Sequence, residues 1–500
     1  MKNKRTILLL LAIIAIAGFF RLWQLGTIPP GVYPDEAMNA NDALTSPGKL
    51  FYPDNNGREG LFINLIALSF SVFGVSIWSL KIISAIAGIL TVAGLYLLAK
   101  EMFWDKREAE AIALLSSFFL AISFWHVNFS RISFRAILVP LVMTFAFYFL
   151  LKGFRTEKIK NFIFGGLIFG LGFHTYISFR LAILLLPVLF LSYFNKQKFF
   201  AGSAVFLIFI FLAALPMGVY FLQNPEFLFS RTGGVSVFSQ DNPVLEFIKS
   251  FAAHAAMFNF QGDGNWRHNF ADSPQLFWPV GILFLVGVAI SIRKMASSTA
   301  PLLLLAWLFV MLLPGALTYE GIPHALRTIG AIPPAYILAG FGGWRAYQFA
   351  SEKVGNKKLL FVGCLFLLFS LAYAQFSRYF FIWAQRPEVQ GAFNVNYNEI
   401  GHYLNSLPEG TKKYVIVNEF GSPLHGISIP GQTPMFIERT KFGKLRANYL
   451  AAERLNEIDG AGNTVIVPLY FEDNLRNELE RKFPQGRIEN KKFFNAYIID

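Results

Sequence analysis

The sequence predicts a polytopic α-helical membrane protein of about 11 transmembrane helices, followed by a small C-terminal extracytoplasmic α/β domain. Three observations carry that expectation. Hydrophobic residues make up 54% of the 500 and charged residues only 15%, against the roughly 25% charge of an ordinary soluble domain. Apolar runs of about 20 residues, enough to cross a bilayer, recur along the first three quarters of the chain. The basic excess is also confined there: residues 1–383 carry 30 Lys and Arg against 17 Asp and Glu, whereas residues 384–500 carry 14 of each. The net charge of +13 therefore reports membrane orientation rather than nucleic-acid binding.

Taken in order, the expected spans are 6–25, 78–99, 111–128, 134–151, 162–179, 181–194, 199–222, 276–292, 299–318, 328–350 and 359–382. Segment 61–77 reads as an interfacial or buried helix because Asn64 and several serines interrupt its apolar face; as a further span it would change the parity. Arg21-Leu22-Trp23 reads as an interfacial anchor, and no small-x-small cleavage site follows the first run. With the N-terminus cytoplasmic, every inner loop is basic: Lys2, Lys4 and Arg5, then Lys106 and Arg107, then Lys152, Arg155, Lys158 and Lys160, then Lys196 and Lys198, Arg293 and Lys294, and Lys353, Lys357 and Lys358. The outer loops instead collect Asp35, Glu36, Asp54, Glu59, Asp263 and Glu320. The domains follow: 1–383 in the membrane, with a first outer loop over 26–60, and 384–500 outside. In the tail, 412–417, 464–467 and 496–499 read as strands, and 396–406, 447–458 and 472–483 as helices. The single cysteine, Cys364, excludes an internal disulfide and a cysteine-based zinc site.

Four outer loops concentrate the chemistry. The first carries Tyr33-Pro34-Asp35-Glu36 directly after the first span, where an enzyme acting on a lipid headgroup needs a base; helix capping is the alternative. It ends in Arg58-Glu59, otherwise a solvated turn. The second carries His126, Arg131 and Arg135; the two arginines are four apart, suited to paired donation to phosphate or to interfacial anchoring. The third, 223–275, contains Gly262-Asp263-Gly264-Asn265-Trp266-Arg267-His268-Asn269. Its Trp266 can stack on a sugar while Asp263, Arg267 and His268 orient it. The fourth holds His324 and Arg327. His174 and Arg180 lie near the same membrane face, His174 reading as a packed core histidine.

These motifs, with SRISFRAILVP (130–140) and PHALRTIGAIPP (323–334), resemble the prokaryotic glycosyltransferases of the GT-C fold. The likeness is to the family 39-like branch that includes the protein O-mannosyltransferases and the lipid A aminoarabinose transferases. It implies a hexosyltransferase class of the cell envelope whose extracytoplasmic site takes sugar from a polyprenyl-phosphate carrier. Asp35 falls on the family's catalytic carboxylate, with Glu36 beside it. Where many relatives read His or Lys followed by two prolines, this chain reads Arg58-Glu59-Gly60.

The expected reaction is inverting transfer from a polyprenyl-phosphate-linked sugar to an extracytoplasmic acceptor, whether protein, glycan or lipid. Asp35 and Glu36 are the catalytic candidates and Arg58, Arg131, Arg135 and Arg327 the phosphate-binding ones. Glu59, His126, Asp263, Trp266, Arg267, His268 and His324 are the substrate-binding candidates. No cofactor is required and no metal set is assigned, although a divalent cation held by Asp35 and a histidine stays open. The expected place is the prokaryotic plasma membrane, multi-pass, with the bilayer as partner and no nucleic acid. The alternative is a transporter or flippase for a lipid-linked or anionic solute, which polar residues at mid-bilayer depth would favour. The neutral tail, lacking a clustered acid, base and cation, is expected to serve acceptor choice and to be dispensable for chemistry.

Overall fold

The computed structural model describes residues 2–228, 234–424 and 426–500. The chain forms two compact units: Met1–Trp23, Leu50–Phe62 and Ser84–Trp383 make one, and Gln24–Lys49, Ile63–Ile83 and Ala384–Asp500 the other. A cut at residue 383 alone therefore misplaces two segments. The first outer loop is divided, Asp35 and Glu36 going with 384–500 and Arg58 and Glu59 with the other unit.

Among the described residues, six helices are long and apolar enough to cross a membrane: Lys4–Leu22, Ile77–Met102, Arg135–Thr156, Phe199–Gln223, Thr299–Ala316 and Lys357–Trp383. Their apolar character runs all round the helix, and Phe200, Leu222, Phe366 and Phe369 are each more than 70% exposed. Only a lipid environment accommodates such a surface. Each of the other expected spans is helical at least in part, but shorter, less apolar or broken. Residues 111–128 divide into Ala109–Ala121 and Phe124–Phe129, and 181–194 begins as a tighter 3-10 turn, Ile177–Leu184, before Leu185–Tyr193. Segment 61–77 forms the 14-residue helix Gly60–Phe73. Helices Ile159–Leu171 and Phe199–Gln223 approach closely because Gly166 and Gly170, four apart, face the carbonyls of Phe206 and Ile210; a Cβ at either glycine would overlap them.

Arg21 is not the interfacial anchor expected of it. It is fully buried and donates to the carbonyls of Ala17, Leu120 and Ala121 and to Ser130 Oγ. A buried guanidinium needs such acceptors from every side.

After β1 Phe51–Tyr52 and β2 Arg58–Glu59 of the first unit, the second unit contributes β3 Lys412–Val417, β4 Pro423–Leu424, β5 Ile427–Ser428, β6 Asn448–Ala451, β7 Thr464–Pro468, β8 Arg487–Asn490 and β9 Asn495–Ile499. Of these, β4 pairs with β5 and the other five form one sheet in the order β6-β3-β7-β9-β8. β3 is parallel to β6 and β7, and β9 is antiparallel to β7 and β8. The continuous apolar runs of β3 and β7 follow from burial on both faces. Val415, Val417, Val465 and Val467 pack on one side, Tyr414, Ile416 and Ile466 on the other. The helix expected over 447–458 is not formed. Residues 448–451 pair with β3, and Ala452–Glu457 makes a 3-10 turn. At the start of this strand Glu438 accepts the N–H groups of Arg446 and Ala447 and the hydroxyl of Tyr449.

Candidate active site

In the second unit Pro34 opens the helix Pro34–Thr45 with its missing N–H, and the side chain of Glu36 accepts the backbone N–H of Tyr33 at 3.2 Å. Glu36 is fully buried and Asp35 half-buried. The acidic pair thus separates. Glu36 organises the helix start, whereas Asp35, in the first turn but not at the cap, keeps partial access to solvent. The segment before it is held by residues far away in sequence. Asn398 Oδ1 accepts Val32 N–H at 3.0 Å, Thr433 Oγ1 donates to Val32 O at 3.2 Å, and buried Lys81 Nζ donates to Pro29 O and Gly31 O at 3.2 and 3.1 Å. Gly31 has φ +79°, and a Cβ there would meet Asn398 and the Phe393 carbonyl at 2.7 Å. Farther along the helix, Asn41 donates to Gln432 Oε1 at 2.9 Å and accepts from Arg439 at 2.6 Å. The tail is therefore built into the support of Asp35, against the expectation that it is dispensable. Lys81, a cation near the start of an otherwise apolar helix run, was a legible signal; Asn398 and Thr433 carry none in sequence.

In the first unit, Arg58 and Glu59 form β2, paired antiparallel with β1 (Phe51–Tyr52) across a turn whose Asn55, Asn56 and Gly57 all have positive φ. This is no solvated turn: Arg58 and Glu59 are both 2% exposed. Arg58 lies over the Tyr52 ring. Glu59 accepts from Arg135 Nε at 2.7 Å, and the Arg135 guanidinium covers the ring of Tyr176. Tyr176 lines a cavity of about 590 Å³ whose walls are mostly apolar, including Ile177, Leu181, Val235, Phe238 and Leu317. Arg180 and Arg327 are among its lining residues. Arg180 donates to Leu228 O at 2.8 Å, and Arg327 to Thr318 Oγ1 and Glu320 O at 2.7 and 2.6 Å.

Arg131 and His126 are both built into the interior. Arg131 is fully buried and donates to the carbonyls of Phe20 and Trp23 at 2.9 and 2.7 Å, closing the end of the first helix. Burial lowers its pKa, opposed by Tyr379. His126 is fully buried with its Nδ1 2.7 Å from Arg21. His174, bonded to Ala213 O, is the packed histidine expected.

The loops 257–275 and 319–328 converge. Asp263 Oδ2 accepts from His268 Nδ1 at 2.9 Å and from Ala325 N–H at 2.8 Å, and His324 Nδ1 stands 3.9 Å from the same oxygen. His254 Nε2 accepts the His324 N–H, and burial lowers the His254 pKa. Trp266 packs on Phe270 and is half-buried, and Arg267 Nε donates to Asn265 at 3.3 Å.

The family described as dolichyl-phosphate-mannose-protein mannosyltransferase matches residues 61–216. Apo ArnT from Cupriavidus metallidurans superposes with a TM-score of 0.61 at 13% identity, covering 100% of this chain and 98% of that one. The same protein solved with undecaprenyl phosphate gives 0.60 at 12% over 98% and 97%. The oligosaccharyltransferase of Archaeoglobus fulgidus gives 0.53 at 15%, covering 89% of this chain and 64% of its own. No curated sequence relative matches the chain.

Proposed function

We propose that this chain, which has the GT-C fold of those membrane glycosyltransferases, transfers a sugar from a polyprenyl-phosphate carrier to an extracytoplasmic acceptor with inversion. The observation that carries the reading is the apolar cavity of about 590 Å³ with Arg180 and Arg327 in its wall. A polyprenyl phosphate presents an apolar chain and one anionic head, and a guanidinium donates in pairs to such a head. The undecaprenyl phosphate bound to ArnT supports the same class of carrier. In the proposed step Asp35 accepts the proton of the acceptor hydroxyl as its oxygen bonds to the anomeric carbon. The bond from that carbon to the phosphate oxygen breaks, and polyprenyl phosphate leaves with its charge held by Arg327 and Arg180. Trp266 and Arg267 are the residues we assign to the sugar and acceptor side. The orientation proposed is a cytoplasmic N-terminus with 384–500 outside, from the basic loops between spans.

Purified protein incubated with synthetic polyprenyl-phosphate sugars differing in the sugar tests the reading. Release of polyprenyl phosphate from at least one donor, lost on Asp35→Asn, is expected. Movement of an intact lipid-linked solute across proteoliposomes, with no release from any donor, would overturn it in favour of a flippase.

A further inference from the structure

The loop pair 262–273 and 319–328 contains a side-chain cluster for which the proposed sugar transfer has no use. Asp263, His268 and His324 each offer one ligand atom, and the three atoms lie within 4.8 Å of one another. We propose that these residues bind a divalent transition-metal ion, zinc foremost, that clasps the two loops together.

The donor set selects the ion. Two imidazoles and one carboxylate suit zinc and its neighbours, whereas calcium and magnesium require mainly oxygen ligands. Ligands of a tetrahedral zinc, about 2.1 Å from the metal, lie roughly 3.4 Å apart. Here the Asp263 oxygen is 2.9 Å from His268 Nδ1 and 3.9 Å from His324 Nδ1, so the separations bracket that value and small side-chain rotations reach it. The 3.9 Å separation is too long for a hydrogen bond. The His268 and His324 rings also pack on each other, centroids 4.9 Å apart, which places both imidazoles at the same carboxylate.

The surroundings supply the outer shell that metal sites need. Asn265 N–H donates to Asp263 Oδ1 at 2.8 Å and Ala325 N–H to Oδ2 at 2.8 Å. The loop around Asp263 is closed by Asp272 N–H on Asp263 O and by Asn269 on Ser273 O. Phe129 packs against the His268 ring, and Asp263 and His268 are only 4% and 5% exposed. Three protein ligands leave one position for water. The clasp would fix the segment that, three residues after His324, carries Arg327 into the cavity wall.

The inference goes beyond the sugar-transfer reading, and zinc is counted without substrate, so each stands or falls separately. The full chain, purified in detergent, is stripped with chelator, reloaded with zinc alone and assayed for metal by mass spectrometry. One zinc per chain and a raised unfolding temperature are expected. His268→Asn keeps a donor toward Asp263, and His324→Gln keeps a polar side chain. Each should weaken zinc by more than about 100-fold, beyond the 10–100-fold cost of losing an outer-shell partner. His402→Gln, at an exposed histidine of the tail, should leave zinc bound. Cobalt in place of zinc should give the intense visible bands of a four-coordinate site, a readout on the unaltered chain. Substoichiometric zinc in the wild type, a six-coordinate cobalt spectrum, or unchanged binding in both histidine variants would overturn the proposal.

Discussion

Asp35 and Glu36 are adjacent in sequence, yet the structure places them in different environments. Glu36 is buried and holds the Tyr33 N–H, so Glu36→Ala should cost about 0.5–2 kcal/mol of stability, the usual range for a lost helix-start contact. Glu36→Gln, which keeps an acceptor, should be nearly silent in both melting and transfer assays. Asp35→Asn removes charge and basicity at a half-buried position in the first turn of the helix. Turnover should fall ~10²–10⁴-fold with donor binding and fold intact. Near-normal transfer by that variant would remove Asp35 from the mechanism. The arginines divide in the same way. Arg327→Ala and Arg180→Ala should weaken donor binding about ten- to a hundred-fold, from the ~1.5–3 kcal/mol of a charged hydrogen bond. Arg131→Ala, which uncaps the carbonyls of Phe20 and Trp23, should lower the unfolding temperature and leave donor affinity unchanged. Donor titration alongside a thermal melt separates the two groups.

The hairpin of β1 and β2 shows how a short element sets the electrostatics beside the cavity. Glu59 and Arg135 form an ion pair in which both side chains are largely removed from water, 3% and 11% exposed. Breaking such a pair from one side leaves a buried charge uncompensated. Glu59→Ala should therefore destabilise by about 3–5 kcal/mol. The double variant Glu59→Ala with Arg135→Met removes both charges and should recover most of that loss, as read by thermal unfolding in detergent. Equal destabilisation by the single and double variants would mean that the pair contributes by shape rather than by charge. The turn preceding β2 fixes which residues face inward: Gly57, at φ +80°, packs against the Phe51 ring where any Cβ would collide.

Over the whole molecule the two compact units cut across the order of the chain. Gln24–Lys49 and Ala384–Asp500 belong to one unit although more than 300 residues separate them. Truncation at residue 385 should therefore abolish donor turnover as well as acceptor choice, since Asn398 and Thr433 hold the backbone just before Asp35. Asn398→Ala is the graded version, expected to lower turnover about ten- to a hundred-fold through misplacement of the base, with donor affinity unchanged. A truncated chain that still hydrolyses donor would show the tail to be separable after all. Reporter fusions after residues 156 and 400 check the orientation, with cytoplasmic and external signals expected respectively.

Composition, apolar run length and loop charge determined by themselves that this chain is a membrane protein, roughly where its helices lie, and that 412–417, 464–467 and 496–499 are strands. Such signals are local or summed along the chain, and tertiary packing does not have to be known to read them. The loops rich in acids, arginines and histidines were legible for the same reason, because ionisable residues are scarce in this composition. Tertiary structure alone decided which of those residues serve the fold. Arg21, Arg131 and His126 satisfy buried carbonyls and one another, a fact that depends on partners about a hundred residues away. It also decided that 448–451 is a strand, because the edge of β3 supplied hydrogen bonds that local propensity did not weigh. The support of the segment before Asp35 by Asn398 and Thr433, and the meeting of Asp263 and His268 with His324, rest on backbone groups and separations that no one-dimensional pattern encodes.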